Sequence, residues 1–147
     1  MVQLPHQYVA TVTGKPTQQL TSSADNLPDL SVAPPAQFDG PGDQWSPEAL
    51  LMASVASCLI LSFRAIAKAA QLHWCDICCE SEGVLDKVER KIQFTQVLSK
   101  VTLTIAADEN KEKAATLIEK AERSCFISNS LSSQTQVMYD IKQTDAE

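Results

Sequence analysis

Two of the five cysteines stand apart from the rest and from each other. Cys58 lies in the middle of the apolar run that opens Ser46-Pro47-Glu48-Ala49-Leu50 and closes Leu61-Ser62-Phe63, and Cys125 ends a second helix-like segment. A thiol in an uncharged helix is most often a small hydrophobe in a core, and composition alone favours that reading for both. A thiolate is also a nucleophile that can be oxidised in steps. Cys58 follows a helix start whose only charged residue is Glu48, with a possible partner thiol elsewhere in the chain, so redox chemistry is the functional reading. Glu48 itself reads equally well as a first-turn acid that complements the helix dipole and as a catalytic group.

The denser cluster, Cys75-Asp76-Ile77-Cys78-Cys79, carries less chemistry. Redox CxxC pairs open a helix, whose dipole lowers the thiol pKa, whereas this one falls in a strand-like segment. Strand alternation would send Cys75 and Cys78 to opposite faces, out of reach of a disulfide. His73 beside them supplies no second ligand pair for zinc, so no metal is expected and the three thiols read as packing or bystanders. His6 and His73 are isolated.

With 147 residues the chain is expected to form a single domain over 1–147. Its net charge of -6, without a Lys/Arg cluster, argues against a nucleic-acid partner, because phosphate neutralisation needs a basic face. The uncharged run from Ala49 to Phe63 ends at Arg64 and falls short of the roughly 20 apolar residues of a membrane span, so a buried helix and no membrane are expected. No basic, then apolar, leader is visible, which makes the cytoplasm the expected compartment. There, five cysteines do not form a disulfide framework.

These residues need elements to hold them. Ser46 is an N-cap, Pro47 suits the first helical position, and the spacing predicts a helix from 46 to about 71. It is apolar nearly all round and hence central, and its small residues Ala49, Ala53 and Ser57 would let another backbone approach closely. Before it, Gln7 to Thr13 alternates as a strand, Gly14-Lys15-Pro16 turns, and the Gly/Pro-rich stretch 34–45 is a long loop that could rim a site, with Phe38 and Trp45 as apolar contacts. After it come strands over 73–82, 84–87 and 90–106, with a bulge suggested at Val97-Leu98. A helix over about 110–124 carries the stripe Ala114, Leu117, Ile118, Ala121, Cys125, and a last strand covers 134–144. This order makes an α+β domain.

The segment from Ser46-Pro47-Glu48-Ala49-Leu50 to Ala56-Ser57-Cys58 resembles the central-helix signature of the osmotically inducible protein C and organic hydroperoxide resistance (OsmC/Ohr) family. Glu82-Gly83 before a strand, and Ala121 to Cys125 followed by Asn129-Ser130-Leu131, match in order and spacing. The resemblance implies an OsmC-like α+β fold with a long central helix packed against antiparallel sheets, assembled as an intertwined homodimer. It implies a cofactor-free thiol peroxidase that reduces organic hydroperoxides. Cys58 would be peroxidatic, Cys125 resolving, Glu48 part of the site, and a dithiol reductant would regenerate the enzyme. The alternative is a non-catalytic small-ligand-binding protein of the same fold.

The chain departs from the pattern in two places. The family's thiolate-stabilising arginine lies upstream of the central helix, but the first arginine here is Arg64, roughly 9 Å along and about 120° around the helix from Cys58. Phe126 stands where the family commonly has proline.

Ten residues separate Glu48 from Cys58, roughly 15 Å along a helix. If both serve one site, the glutamate is expected from a second chain.

Overall fold

The computed structural model describes residues 3–145, in two compact units that divide after Leu51. In the first unit, β1 (Thr11–Thr13), β2 (Leu20–Ser23) and β3 (Leu30–Val32) form an antiparallel sheet in that order. Of the strand expected over 7–13, only its end pairs; Tyr8 and Val9 are exposed. The loop 34–45 makes a short 3-10 turn at Ala36–Phe38 and returns to the sheet where the Ala33 N–H donates to the Trp45 carbonyl at 2.9 Å. Gly40 is required in that turn: a Cβ there would collide with the Pro34 carbonyl oxygen.

Helix α1 (Pro47–Ala69) starts where expected, with the Ser46 hydroxyl accepting the Ala49 N–H at 3.1 Å. It stops in a Schellman arrangement. The Leu72 N–H reaches the Ala67 carbonyl and the Gln71 N–H that of Lys68, with Gln71 at φ 56 in the conformation that usually selects glycine.

In the second unit, β4 (Trp74–Val88) and β5 (Lys91–Ile105) form a long antiparallel hairpin, and β6 (Gln134–Gln143) lies parallel to β5 on its other side. Between β5 and β6 runs α2 (Lys111–Ser124), followed by the single turn α3 (Phe126–Asn129). Asn110 caps α2, its side-chain oxygen accepting the Glu112 and Lys113 N–H groups at 2.7 and 3.1 Å.

The apolar faces meet in one core: Leu59, Phe63 and Ala67 of α1, Val101, Leu103 and Ile105 of β5, and Ala114, Ile118 and Ala121 of α2. The alternation of β5 and the helical stripe of α2 both follow the expected pattern, because each element buries one face against the other.

Two local expectations change. The irregularities fall elsewhere than at Val97-Leu98, which pair regularly with Gly83 and Glu82. The register shifts instead between Val84 and Leu85, where Thr95 is the extra residue, and between Trp74 and Asp76, where Cys75 is. The second shift alters the cysteine cluster. It lets Trp74 and Ile77 both pack on the core and leaves Cys75 and Cys78 both exposed, so simple alternation does not separate them.

The central helix is also more open than its composition suggests. Val55, Leu59, Phe63 and Ala67 are buried in one row, while Ala49, Ser57 and Leu61 are exposed. Counted over its full 23 residues, α1 has the length and composition to cross a membrane. The expectation that it is too short therefore fails; what the chain itself does with the helix is bury one row in the core.

Candidate functional site

The structure brings Cys58 and Cys125 together. Cys58 is partly exposed on α1, on the turn beside buried Leu59; Cys125 is 1% exposed at the junction of α2 and α3. All five cysteines are free thiols. Each thiol acts on the other as a side-chain hydrogen-bond partner.

Electrostatics splits the pair. Burial acts to raise the Cys58 pKa, but it is outweighed by the Ile127 N–H, the Cys125 thiol, the Phe126 N–H and the Ser62 hydroxyl, so the thiol is held below its ordinary value. Cys125 moves the other way. Burial pushes it up, the Ser128 hydroxyl at 3.3 Å and the Ser128 backbone offset part of this, and neighbouring Cys58 raises it further. Cys58 is thus the more acidic thiol of the pair and Cys125 the less acidic.

The backbone geometry explains how donors replace a cation. Cys125 is extended (φ -71, ψ 109) and α3 begins immediately after it, so the first N–H groups of that turn have no intrahelical carbonyl to meet. Those of Phe126 and Ile127 bond to the Cys58 sulfur. Phe126 matters through its backbone: a proline there would have no N–H to give. Sequence reasoning singled out Phe126 as a departure but missed this role, and it missed Ser62 and Ser128. Ser62 was within reach of a sequence argument, since it lies four residues after Cys58 on one helix face.

Glu48 belongs to the first unit and is not among the groups bonded to either thiol. One of its carboxylate oxygens is buried without a hydrogen-bond partner among the described residues. It lines a cavity of about 440 Å³ whose walls include Leu20, Val32, Pro34 and Phe38, with Lys15 contributing a cation. Phe38 lines this cavity, whereas Trp45 does not. Among the described residues no cluster of three or more His, Cys, Asp or Glu could hold a metal.

Comparison with known proteins places the fold. The family model described as OsmC-like protein matches residues 40–140. The uncharacterized protein YmaD of Bacillus subtilis (strain 168) is 25% identical over 113 residues, 75% of each chain. An OsmC-like protein of unknown function from Vibrio cholerae superposes with a TM-score of 0.86 at 18% identity, over 92% of this chain and 100% of that one. An organic hydroperoxide resistance protein OsmC from Legionella pneumophila gives 0.74 at 23% identity, over 95% and 99%.

Proposed function

We propose that this chain, which belongs to the OsmC-like protein family, is a thiol peroxidase that reduces organic hydroperoxides with Cys58 as nucleophile and Cys125 as resolving thiol. The observation that carries the reading is the asymmetry of one hydrogen-bonded thiol pair: Cys58 is lowered by four donors while Cys125 is raised. The thiolate is the reactive form of cysteine. The Cys58 thiolate attacks the outer oxygen of ROOH, the O–O bond breaks, and the alkoxide leaves as ROH with a solvent proton. The Cys58 sulfenic acid is then attacked by the Cys125 sulfur; the S–O bond breaks and water leaves. A dithiol reductant restores both thiols. The chain works here without a cofactor, as one OsmC-like domain, in the cytoplasm.

Assembly supports the same reading. A helix apolar on nearly all faces that buries a single row, with Leu61 56% exposed beside Ala49 and Ser57, calls for a cover over its open face. A second copy of the chain supplies it, and contributes its Glu48 to the thiol site. Sedimentation at micromolar concentration is expected to show a dimer; a monomer rules out this assembly.

The direct test is one equivalent of cumene hydroperoxide added to the reduced protein, quenched early and alkylated under denaturing conditions. Peptide mapping is expected to find a Cys58–Cys125 bridge. Two fully alkylatable thiols would sink the peroxidase reading. They would favour a non-catalytic small-ligand-binding protein instead, for which the apolar cavity holding the unpartnered Glu48 oxygen is the specific support.

A further inference from the structure

One apolar side chain beside the thiol is not used by that cycle. Phe126 opens the single turn α3 and is 77% exposed, while its own N–H bonds to the Cys58 sulfur. That bond ties the ring to the reacting atom. The Phe126 nitrogen is within hydrogen-bond reach of the sulfur, and the Cα that carries the side chain is one bond of about 1.46 Å further on. Cys125, the residue before, is 1% exposed, so the chain passes from core to solvent in a single step at the thiol. An exposed apolar side chain is ordinary by itself; its place on the residue that holds the nucleophile gives this one a use. The turn it opens, Phe126–Asn129, carries no charged residue, so α3 offers a substrate no ionic contact.

We infer that the Phe126 ring is the specificity-determining contact for the R group of the hydroperoxide, and that it selects aryl or branched-alkyl hydroperoxides over hydrogen peroxide. The inference rests on the peroxidase reading above. The donors define which side of Cys58 is open: the Ile127 and Phe126 N–H groups, the Cys125 thiol and the Ser62 hydroxyl reach the sulfur from α1 itself and from the α2–α3 junction. A hydroperoxide has to come in line with the sulfur, its O–O bond pointing away, through the side of partly exposed Cys58 that these groups leave free. The R group sits on the far oxygen and ends beyond the sulfur, at the rim where α3 leaves the core. The α1 face with Leu61 is taken by the second copy in the assembly above, which leaves the Phe126 ring to meet that group. A cumyl or tert-butyl group takes apolar surface out of water against the ring, and an aryl group can also meet it edge-to-face. Hydrogen peroxide has a hydrogen in place of R and gains nothing. Backbone and side chain of one residue thus divide the work, the N–H holding the sulfur and the ring holding the substrate.

The experiment measures kcat/KM of the full-length protein for cumene hydroperoxide and for hydrogen peroxide, with a dithiol reductant, in wild type, Phe126→Leu and Phe126→Ala. Wild type is expected to favour cumene hydroperoxide. An apolar contact at an open site is worth roughly tenfold in such discrimination, so the ratio of the two values is expected to fall by about that factor in Phe126→Ala and by less in Phe126→Leu, which keeps most of the apolar surface. All three proteins keep the N–H at position 126, so the midpoint of Cys58 alkylation by iodoacetamide is expected to stay in place. The proposal is overturned if the ratio in Phe126→Ala equals that of wild type. It is equally overturned if the ratio falls only together with a shifted midpoint, since the effect would then run through the donor and not the ring. Failure of the peroxidase reading looks different: wild type itself reduces neither hydroperoxide.

Discussion

Cys58 on α1 and Cys79 on β4 are both partly buried, and burial pushes both thiols toward the neutral form, yet they end on opposite sides of the ordinary value. Cys79 has only the hydroxyls of Ser81 and Ser99 to set against burial, and remains raised. Cys58 has two backbone N–H groups, a thiol and a hydroxyl, and is lowered. The number and kind of donors decide the outcome, and backbone N–H groups at the start of a turn are strong donors with no competing partner. A thiolate can therefore be stabilised without the arginine that the family's pattern supplies.

The largest test of this contrast is removal of the sulfurs. Cys58→Ser is expected to reduce peroxidase turnover to background. Cys125→Ser should permit one oxidation and then accumulate sulfinic acid on Cys58 by mass spectrometry. Retained turnover in Cys58→Ser would end the contrast, since the lowered thiol would have no role.

Next in size is the pH dependence of alkylation by iodoacetamide. Because only the thiolate reacts, Cys58 should stay reactive at pH values where Cys79 is protonated, with its midpoint below and that of Cys79 above the ordinary thiol value. The stability linkage has the matching sign. The depressed Cys58 pKa contributes stability above its unfolded pKa that is lost as pH falls through the folded one. The raised Cys79 and Cys125 values contribute below their unfolded pKa, and that contribution is lost as pH rises through the folded ones. Identical midpoints for Cys58 and Cys79 would erase the distinction.

Phe126→Pro sharpens the comparison by removing a single donor. Position 126 opens α3, where proline is tolerated, and Cys125 already has the extended conformation that a following proline demands. Loss of one such hydrogen bond costs about 1 kcal/mol, or about 0.7 of a pKa unit. The Cys58 alkylation midpoint should rise by that amount, whereas Phe126→Leu, which keeps the N–H, should leave it in place. Equal behaviour of the two variants would show that the backbone donor does nothing.

The smallest effects belong to exposed Cys75 and Cys78. Replacing both by Ser should leave steady-state turnover with a dithiol reductant unchanged within roughly twofold, surface substitutions being close to neutral. A large loss would move the chemistry toward the strand cluster.

How much of this the sequence carried depends on the range of the interactions. The start of α1 at Ser46-Pro47-Glu48, the helix over about 110–124, the alternation of Val101, Leu103 and Ile105, and the stripe ending at Cys125 were all legible, because each is set by neighbours within a turn or two along the chain. Cys58 and Cys125 could be singled out as candidates once their isolation was joined to a family resemblance. The sequence could not place the extra residue at Cys75 rather than near Val97-Leu98, since a bulge is a mismatch between two strands and exists only once they pair. Nor could it show that Phe126 and Ile127 aim their N–H groups at a sulfur on another helix, or that Cys79 looks inward at Ser99. Those facts depend on contacts between residues far apart in sequence, and only the tertiary packing of α1, α2 and β4 decides whether a buried thiol there meets donors or hydrocarbon.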